Sequence, residues 1–176
     1  NRKIIKTSMN NKYDIALLGI INYIKDVEMV VNSFNNTKYR VLIAGKFSSD
    51  ERYYKVINMG LGKNVEIYNK YLTEDEYFYF LTNSKYIILP YKSEETRSSG
   101  IFYEALFNLK PLIVSNYSFF EKVKELNIGY QYIDTPRELF DRLDDDNHYN
   151  VMRKHIFEYI TSCQKDVNKR IIEFFK

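Results

Sequence analysis

The sequence predicts an open, doubly wound α/β domain on a parallel sheet, and three observations carry that prediction. Short β-branched runs alternate with longer helix-patterned stretches, the order expected when crossover helices join parallel strands. Several of the apolar runs stop at a single Gly or Pro in a chain with only 6 Gly and 3 Pro, so each of these residues marks a turn the backbone needs. A length of 176 residues at 45% hydrophobic composition supports one core, which at this size buries about 70% of the unfolded chain's surface. Two full domains are not expected.

Residues 15–18 read as the first buried strand, stopped by Gly19. Residues 25–34 then carry Val27, Val30, Val31 and Phe34 at helical spacing. A second strand at 40–44 ends at Gly45, and Ser49 with Asp50 caps a helix through about Met59, with Gly60 and Gly62 as its stop. Val65–Tyr68 follows as a strand. Thr73 and Glu76 form a capping box that opens a helix over Glu74–Thr82. The strand at 86–89 closes at Pro90, the polar stretch 91–99 is a loop, and the helix Gly100–Phe107 leads to the strand Leu112–Ser115. Residues 116–126 are helical and end near Gly129, and a short strand occupies 130–133. Thr135, Pro136 and Glu138 read as the N-cap, first-turn Pro and N3 Glu of a helix to Leu143. The acidic run at 144–146 breaks that helix, and Asn150 begins the last one. The domain reading is a lead at 1–14, a Rossmann-like domain over 15–149 and a C-terminal helix over 150–176.

The charges, 26 basic against 23 acidic, are interspersed and leave no nucleic-acid footprint. Cys163 has no second Cys to pair with, and one Cys with two distant His gives no zinc spacing. A reducing, cytoplasmic setting follows, with Cys163 expected as a buried small hydrophobe. Asp144, Asp145 and Asp146 near His148 lack ligand spacing, so no metal is assigned. Neither His148 nor His155 has a visible nucleophile partner. No apolar run approaches a membrane span, and residues 1–11 lack a signal-like segment. The chain opens on Asn1 rather than Met, and the expectation is that it is one part of a longer protein. Tyr77, Phe78, Tyr79 and Phe80 cannot all face one side of a helix, so some must be exposed or meet a partner. The last helix sets Arg153, Lys154, Lys165, Lys169, Arg170 and Lys176 among Ile156, Phe157, Ile160, Val167, Ile171, Phe174 and Phe175. Such a pattern fits a peripheral contact at the inner face of a membrane or, more plainly, a helix that covers the sheet edge or docks on another domain.

In open α/β sheets ligands bind beyond the carboxyl ends of the strands, which directs attention to the loops at 19–25, 45–49, 69–73 and 90–100. The last is the most informative. Arg97, Ser98, Ser99 and Gly100 stand at a helix start, where free N–H groups and the positive end of the helix dipole suit a phosphate. Glu104, one turn on, offers a carboxylate to a ribose diol. The same residues also read as a serine N-cap beside a surface Glu, and Lys25 as a solvated Lys at a helix start.

Taken in joint order, the motifs are more specific. They are Leu17-Leu18-Gly19 with Lys25, Ile43-Ala44-Gly45, and Asn64-Val65-Glu66-Ile67 with Thr73-Glu74-Asp75-Glu76. Leu89-Pro90-Tyr91, Ser99-Gly100, Glu104-Ala105 and Lys110-Pro111 before a strand complete the series. Over roughly residues 15–143 this order resembles the donor-binding half of retaining glycosyltransferases of the two-domain GT-B type, the group 1 or family-four enzymes. The resemblance implies transfer of a sugar from a nucleotide diphosphate donor to an acceptor hydroxyl, in bacterial polysaccharide or glycolipid synthesis. It implies no cofactor, and an N-terminal acceptor domain as partner that holds the catalytic residues absent here. It places Glu104 on the donor ribose, Ser99 and Gly100 on the diphosphate with Lys25 as a point charge, and the nucleobase against the turn at Lys70 and Tyr71. The donor-binding set is Gly19, Lys25, Tyr71, Glu95, Arg97, Ser98, Ser99, Gly100 and Glu104. Thr96 stands where the family often has a second Glu, with Glu94 and Glu95 beside it. Ile20 stands where an Arg is usual, and Arg97 offers a cation in its place. Two other readings stay open: a sugar-nucleotide epimerase of the same fold, and a non-catalytic α/β interaction domain in which Ser99 and Glu104 only cap and decorate a helix.

Overall fold

The computed structural model describes residues 11–92 and 99–174, with side chains through Lys165. Among these, β1 (Tyr13–Leu18), β2 (Val41–Ala44), β3 (Val65–Tyr68), β4 (Ser84–Leu89), β5 (Leu112–Ser115) and β6 (Gly129–Tyr132) form one sheet in the order β3-β2-β1-β4-β5-β6. Every pairing is parallel, with Ile15 opposite Val41 and Ala16 opposite Ile87. Helices α1 (Val27–Phe34), α2 (Asp50–Ile57), α3 (Glu74–Thr82), α4 (Gly100–Phe107), α5 (Glu121–Glu125), α6 (Phe140–Leu143) and α7 (Asp146–Phe174) occupy the connections and the chain end. The doubly wound Rossmann-like sheet read from the sequence is the observed architecture.

Period-two alternation sends the strand side chains into two cores. Ile15, Leu17, Val41, Ile43, Tyr86, Ile88 and Ile113 face one, with Val27, Val30, Val31 and Phe34 of α1. Ala16, Leu18, Leu42, Ala44, Ile87, Leu89, Leu112 and Val114 face the other, with Phe80 and Leu81 of α3 and Phe102, Ala105 and Leu106 of α4. Because both faces are covered, the strands read as continuous apolar runs rather than alternating ones. The long α7 serves both layers, since Tyr149 and Met152 lie in the first core and Ile156 in the second. It passes the amino ends of the strands, where Tyr149 meets Tyr86 edge to face.

Several boundaries differ from those expected. β1 and β4 start two residues early because Tyr13 pairs with Ser84, a ladder contact that polar Ser84 and Lys85 do not announce. The first helix starts at Val27 rather than at residue 25, since Asp26 is its cap and accepts the Met29 N–H at 3.2 Å. The helix expected over 116–126 is a 3₁₀ turn at Ser118–Phe120 followed by the short α5, and Asn127 then turns the chain at φ 49°. Gly129 is no helix stop. It lies in β6 opposite Leu112, and a Cβ there would sit 2.2 Å from the Leu112 carbonyl oxygen. The helix after Thr135 begins as a 3₁₀ turn at Pro136–Leu139 before α6.

The last helix begins at Asp146 and not at Asn150, because Asp145 accepts the His148 N–H at 2.9 Å as its cap. Asp144 and Asp146 pair instead with Lys38 and Lys85. Cys163 is exposed rather than buried. Burial falls along α7 from Met152 and Ile156 to half-buried Tyr159 and Ile160, so position 163 lies past the edge of the body it packs on. In α3, Phe80 is buried and Tyr77 half-buried, while Phe78 and Tyr79 stay 48% exposed.

Candidate functional site

The strand order reverses between β1 and β4, and the crevice beyond their carboxyl ends is where an open α/β sheet takes its ligand. The chain builds that place with care. The loops after β1 and β4 are tied together: Asp26 N–H donates to the Pro90 carbonyl at 2.6 Å, Lys92 N–H to the Ile24 carbonyl at 2.8 Å, and Lys25 bridges Tyr91. Gly45, at φ +148°, allows the neighbouring turn to press on Gly19, since a Cβ on it would lie 1.9 Å from the Gly19 carbonyl oxygen. Gly19 itself turns at φ +80°, and a Cβ there would meet Ile101 at 2.8 Å and the Lys25 Nζ at 3.7 Å. Gly19, Lys25 and the start of α4 are therefore one cluster.

Lys25 is only 5% exposed, and its Nζ donates to the Leu18 carbonyl at 2.8 Å. Among the described residues no carboxylate pairs with it. Burial accordingly pulls its ammonium down to about 8. A buried cation with a single carbonyl partner has donors to spare, which is how a cation waiting for an anion looks. Its backbone is held from below: Arg52 donates to the Lys25 carbonyl and, at 3.1 Å, to Glu28, which also meets Lys55 and Lys92. Burial works against the Glu28 charge, yet a backbone hydrogen bond and these three cations keep its carboxyl below the usual range.

Ser99 occupies the cap position of α4 but makes no side-chain cap hydrogen bond. Its Oγ instead lies 2.9 Å from the Tyr91 hydroxyl, which donates to it. The simple reading of Ser99 as a helix cap is thus corrected. Among the described residues the amides of Gly100 and Ile101 have no acceptor, and the first amide of α4 to find one is Phe102, which donates back to the Ser99 carbonyl. Among the described residues nothing lies within 4 Å of a Cβ built on Gly100, so this helix start has room beside it.

Glu104 is exposed one turn into α4 and accepts a hydrogen bond from the Tyr77 hydroxyl of α3. Burial, then that carboxylate, pushes the Tyr77 hydroxyl pKa up. Tyr71 stands 76% exposed on the turn after β3, and Lys70 beside it is paired with Glu76. Glu95, Arg97 and Ser98, with Glu94 and Thr96, lie outside the described residues. Reasoning from sequence missed Tyr91, Tyr77, Ile101 and Arg52 as site neighbours. The Pro90-Tyr91 step marked the first, whereas Arg52 acts across sequence and left no local sign.

At the opposite end of the sheet a cavity of about 180 Å³ is lined by Lys38, Tyr39, Lys85, Tyr86 and Asp144 among others. Its lysines are already paired with Asp144 and Asp146, so it lacks the unmatched charge of the Lys25 cluster.

No protein-family model matches the chain, and no curated protein matches it by sequence. Solved structures do. The chain is similar to the C-terminal domain of a glycosyl transferase group 1 family protein (LpcC) from Francisella tularensis, at 16% identity and TM-score 0.65 over 86% of each chain. It is similar to Anabaena Alr3699/HepE in complex with UDP, at 13% identity and TM-score 0.72, covering 94% of this chain and 49% of that one. Sucrose-phosphate synthase from Thermosynechococcus elongatus matches at 14% identity and TM-score 0.60 over 93% of this chain and 46% of that one. The chain thus spans about half the length of these two proteins. Its fold is that of the C-terminal half of GT-B glycosyltransferases.

Proposed function

We propose that this chain is the nucleotide-sugar-binding half of a retaining glycosyltransferase that moves a sugar from a nucleoside diphosphate to an acceptor hydroxyl. The observation that carries the reading is Lys25, a buried ammonium without a described carboxylate, set beside Gly19 and the uncapped start of α4 at the strand switch point. In this reading the diphosphate lies across the Gly100 and Ile101 amides, and Lys25 meets its charge. Glu104, with one oxygen held by Tyr77, turns the other to the ribose diol. Tyr71 offers an exposed ring to the base.

When the bond between the anomeric carbon and the β-phosphate oxygen breaks, negative charge grows on the leaving diphosphate. Fixed N–H donors and a desolvated cation favour that state over the ground state. In this reading the acceptor hydroxyl and its deprotonation belong to an N-terminal domain in a longer chain. Support for the donor class comes from the fold, shared with a protein solved with UDP and with UDP-glucose. We place the work in bacterial polysaccharide or glycolipid synthesis, at the cytoplasmic face of the membrane. No helix among the described residues is long and apolar enough to cross a membrane.

Calorimetric titration with uridine, adenosine and guanosine and with their diphosphates tests the reading. At low salt a diphosphate is expected to bind at least tenfold more tightly than its nucleoside, since the amides and Lys25 act on the phosphates. Equal affinities across all three pairs overturn it.

A further inference from the structure

We propose that Tyr91 is a positioning residue of this anion site: its hydroxyl draws Ser99 away from capping α4, so that the first amides of the helix and the Ser99 hydroxyl hydrogen remain for a ligand phosphate. The inference rests on the anion-binding reading above and deepens it.

The chain contains its own controls. Ser49 and Thr73 precede α2 and α3 with extended backbones, and each side chain accepts the expected amide, from Arg52 at 3.3 Å and Glu76 at 3.2 Å. Ser99 precedes α4 with φ −85° and ψ 117°, also extended, yet does not cap. What distinguishes it is the Tyr91 hydroxyl 2.9 Å from its Oγ. A phenol is the stronger acid of the two hydroxyls, so Tyr91 donates and Ser99 accepts. The single hydrogen of Ser99 is then left to point to another oxygen.

Tyr91 is built to hold this arrangement. Its ring is 9% exposed and stacks on Phe120 with planes 10° apart and centroids 5.7 Å apart. Its N–H donates to the Ser115 Oγ at 3.1 Å, and its backbone bridges Lys25. The same residue thus fixes both sides of the cluster, the cation through its main chain and the helix start through its side chain. A serine that only began a helix would cap it.

Tyr91→Phe keeps the ring and removes the hydroxyl. Freed Ser99 then caps α4, so Tm holds or rises while the affinity for the tightest of uridine, adenosine and guanosine diphosphates falls fivefold or more. Binding of the matching nucleoside stays unchanged. A second substitution separates this from a packing effect: Ser99→Ala added to Tyr91→Phe lowers Tm, because there the freed serine caps α4, while in the native background the same substitution leaves the buried Tyr91 hydroxyl without its acceptor and lowers Tm for that different reason. Unchanged diphosphate affinity in Tyr91→Phe, an equal loss for diphosphate and nucleoside, or no change in Tm when Ser99→Ala is added to Tyr91→Phe overturns the role of Tyr91 and leaves the anion site standing. If the native chain itself does not prefer a diphosphate over its nucleoside, the anion site falls and Tyr91's role with it. Should Tyr91→Phe fold poorly, Ser99→Ala in the native chain still decides: loss of the Ser99 hydroxyl weakens binding of the diphosphate and not of the nucleoside, and a diphosphate affinity equal to that of the native chain overturns the proposal.

Discussion

Lys25 and Lys110 are both buried, and burial pulls both ammonium groups down to about 8, with the Arg153 cation a further cause for Lys110. A fall of that size corresponds to a cost on the order of 3 kcal/mol for keeping the charge. What separates them is where the donors go. Lys110 reaches the carbonyls of Thr82 at 2.6 Å and Ser84 at 2.7 Å, whereas among the described residues Lys25 reaches that of Leu18 alone. Lys110 therefore closes the amino end of the sheet, and Lys25 keeps donors for a ligand. Lys110→Met is expected to orphan two carbonyls and cost on the order of 2 to 4 kcal/mol of stability. Lys25→Met removes a desolvated charge, moves Tm by only a few degrees, and weakens nucleoside diphosphate binding tenfold or more. The sign of the pH effect follows from the lowered pKa. Free Lys25 loses its charge as pH rises through about 8, so diphosphate affinity falls about twofold from pH 7 to 8 and by up to tenfold per unit beyond. Calorimetry at pH 7, 8 and 9.5 checks this, and the slope between 8 and 9.5 disappears in Lys25→Met. Sequence shows that a Lys follows the first strand. It does not show that this Lys is buried without a carboxylate, because that depends on Gly19, Ile101 and Tyr91 closing around it from three segments.

At the scale of elements, the Ser and Thr caps were legible, whereas the Asp26 and Asp145 caps and the ends written by tertiary pairing were not. The Thr73–Glu76 box opens α3 at the residue expected, and Ser49 opens α2. The extra residues of β1 and β4 and the place of Gly129 in β6 come from neighbours far along the chain. Helix α4 is legible in extent and misleading in chemistry, since Ser99 stands in a cap position and does not cap. Two glycines beside the site, Gly100 at the start of this helix and Gly45 after β2, predict opposite responses to the same small substitution. Gly100→Ala adds a methyl that meets no atom within 4 Å, at a helical position where Ala is the better former. Stability should hold or rise by up to about 1 kcal/mol, while diphosphate binding drops at least fivefold because the methyl occupies the space before the amides. Gly45→Ala is the contrast: its Cβ would lie 1.9 Å from the Gly19 carbonyl oxygen, and Tm should fall sharply. If Gly100→Ala binds diphosphate as the native chain does, the start of α4 is not the phosphate site. Thermal melts beside the titrations separate the two effects.

For the whole molecule, the strict alternation of strands and helices was enough to foresee the sheet, because both faces need covering and parallel strands need crossovers. The two ends of that sheet differ in a way composition does not reveal. The amino end is closed by α7, by Lys110 and by the Lys38–Asp144 and Lys85–Asp146 pairs. On the carboxyl-end loops Ile20 is 56% exposed and Tyr23 and Tyr71 each 76%. Large apolar side chains left in water around a charged crevice suit a surface that faces another body across a cleft. A donor bound on one side of a cleft gains nothing chemically until an acceptor hydroxyl is held against its anomeric carbon, since most of the advantage of a bisubstrate site is positional. The chain is therefore expected to bind a nucleoside diphosphate sugar and to transfer none of it. A longer chain that joins it to an N-terminal acceptor domain should release free nucleoside diphosphate from the same sugar donor in an acceptor-dependent manner, measured by a coupled assay. The burial of Tyr23 and Tyr71 in that longer chain should appear as lost solvent accessibility in the same preparation. Transfer by the chain of 176 residues at the rate of the longer one would place the acceptor site within these residues, and the two-sided cleft would have to be given up.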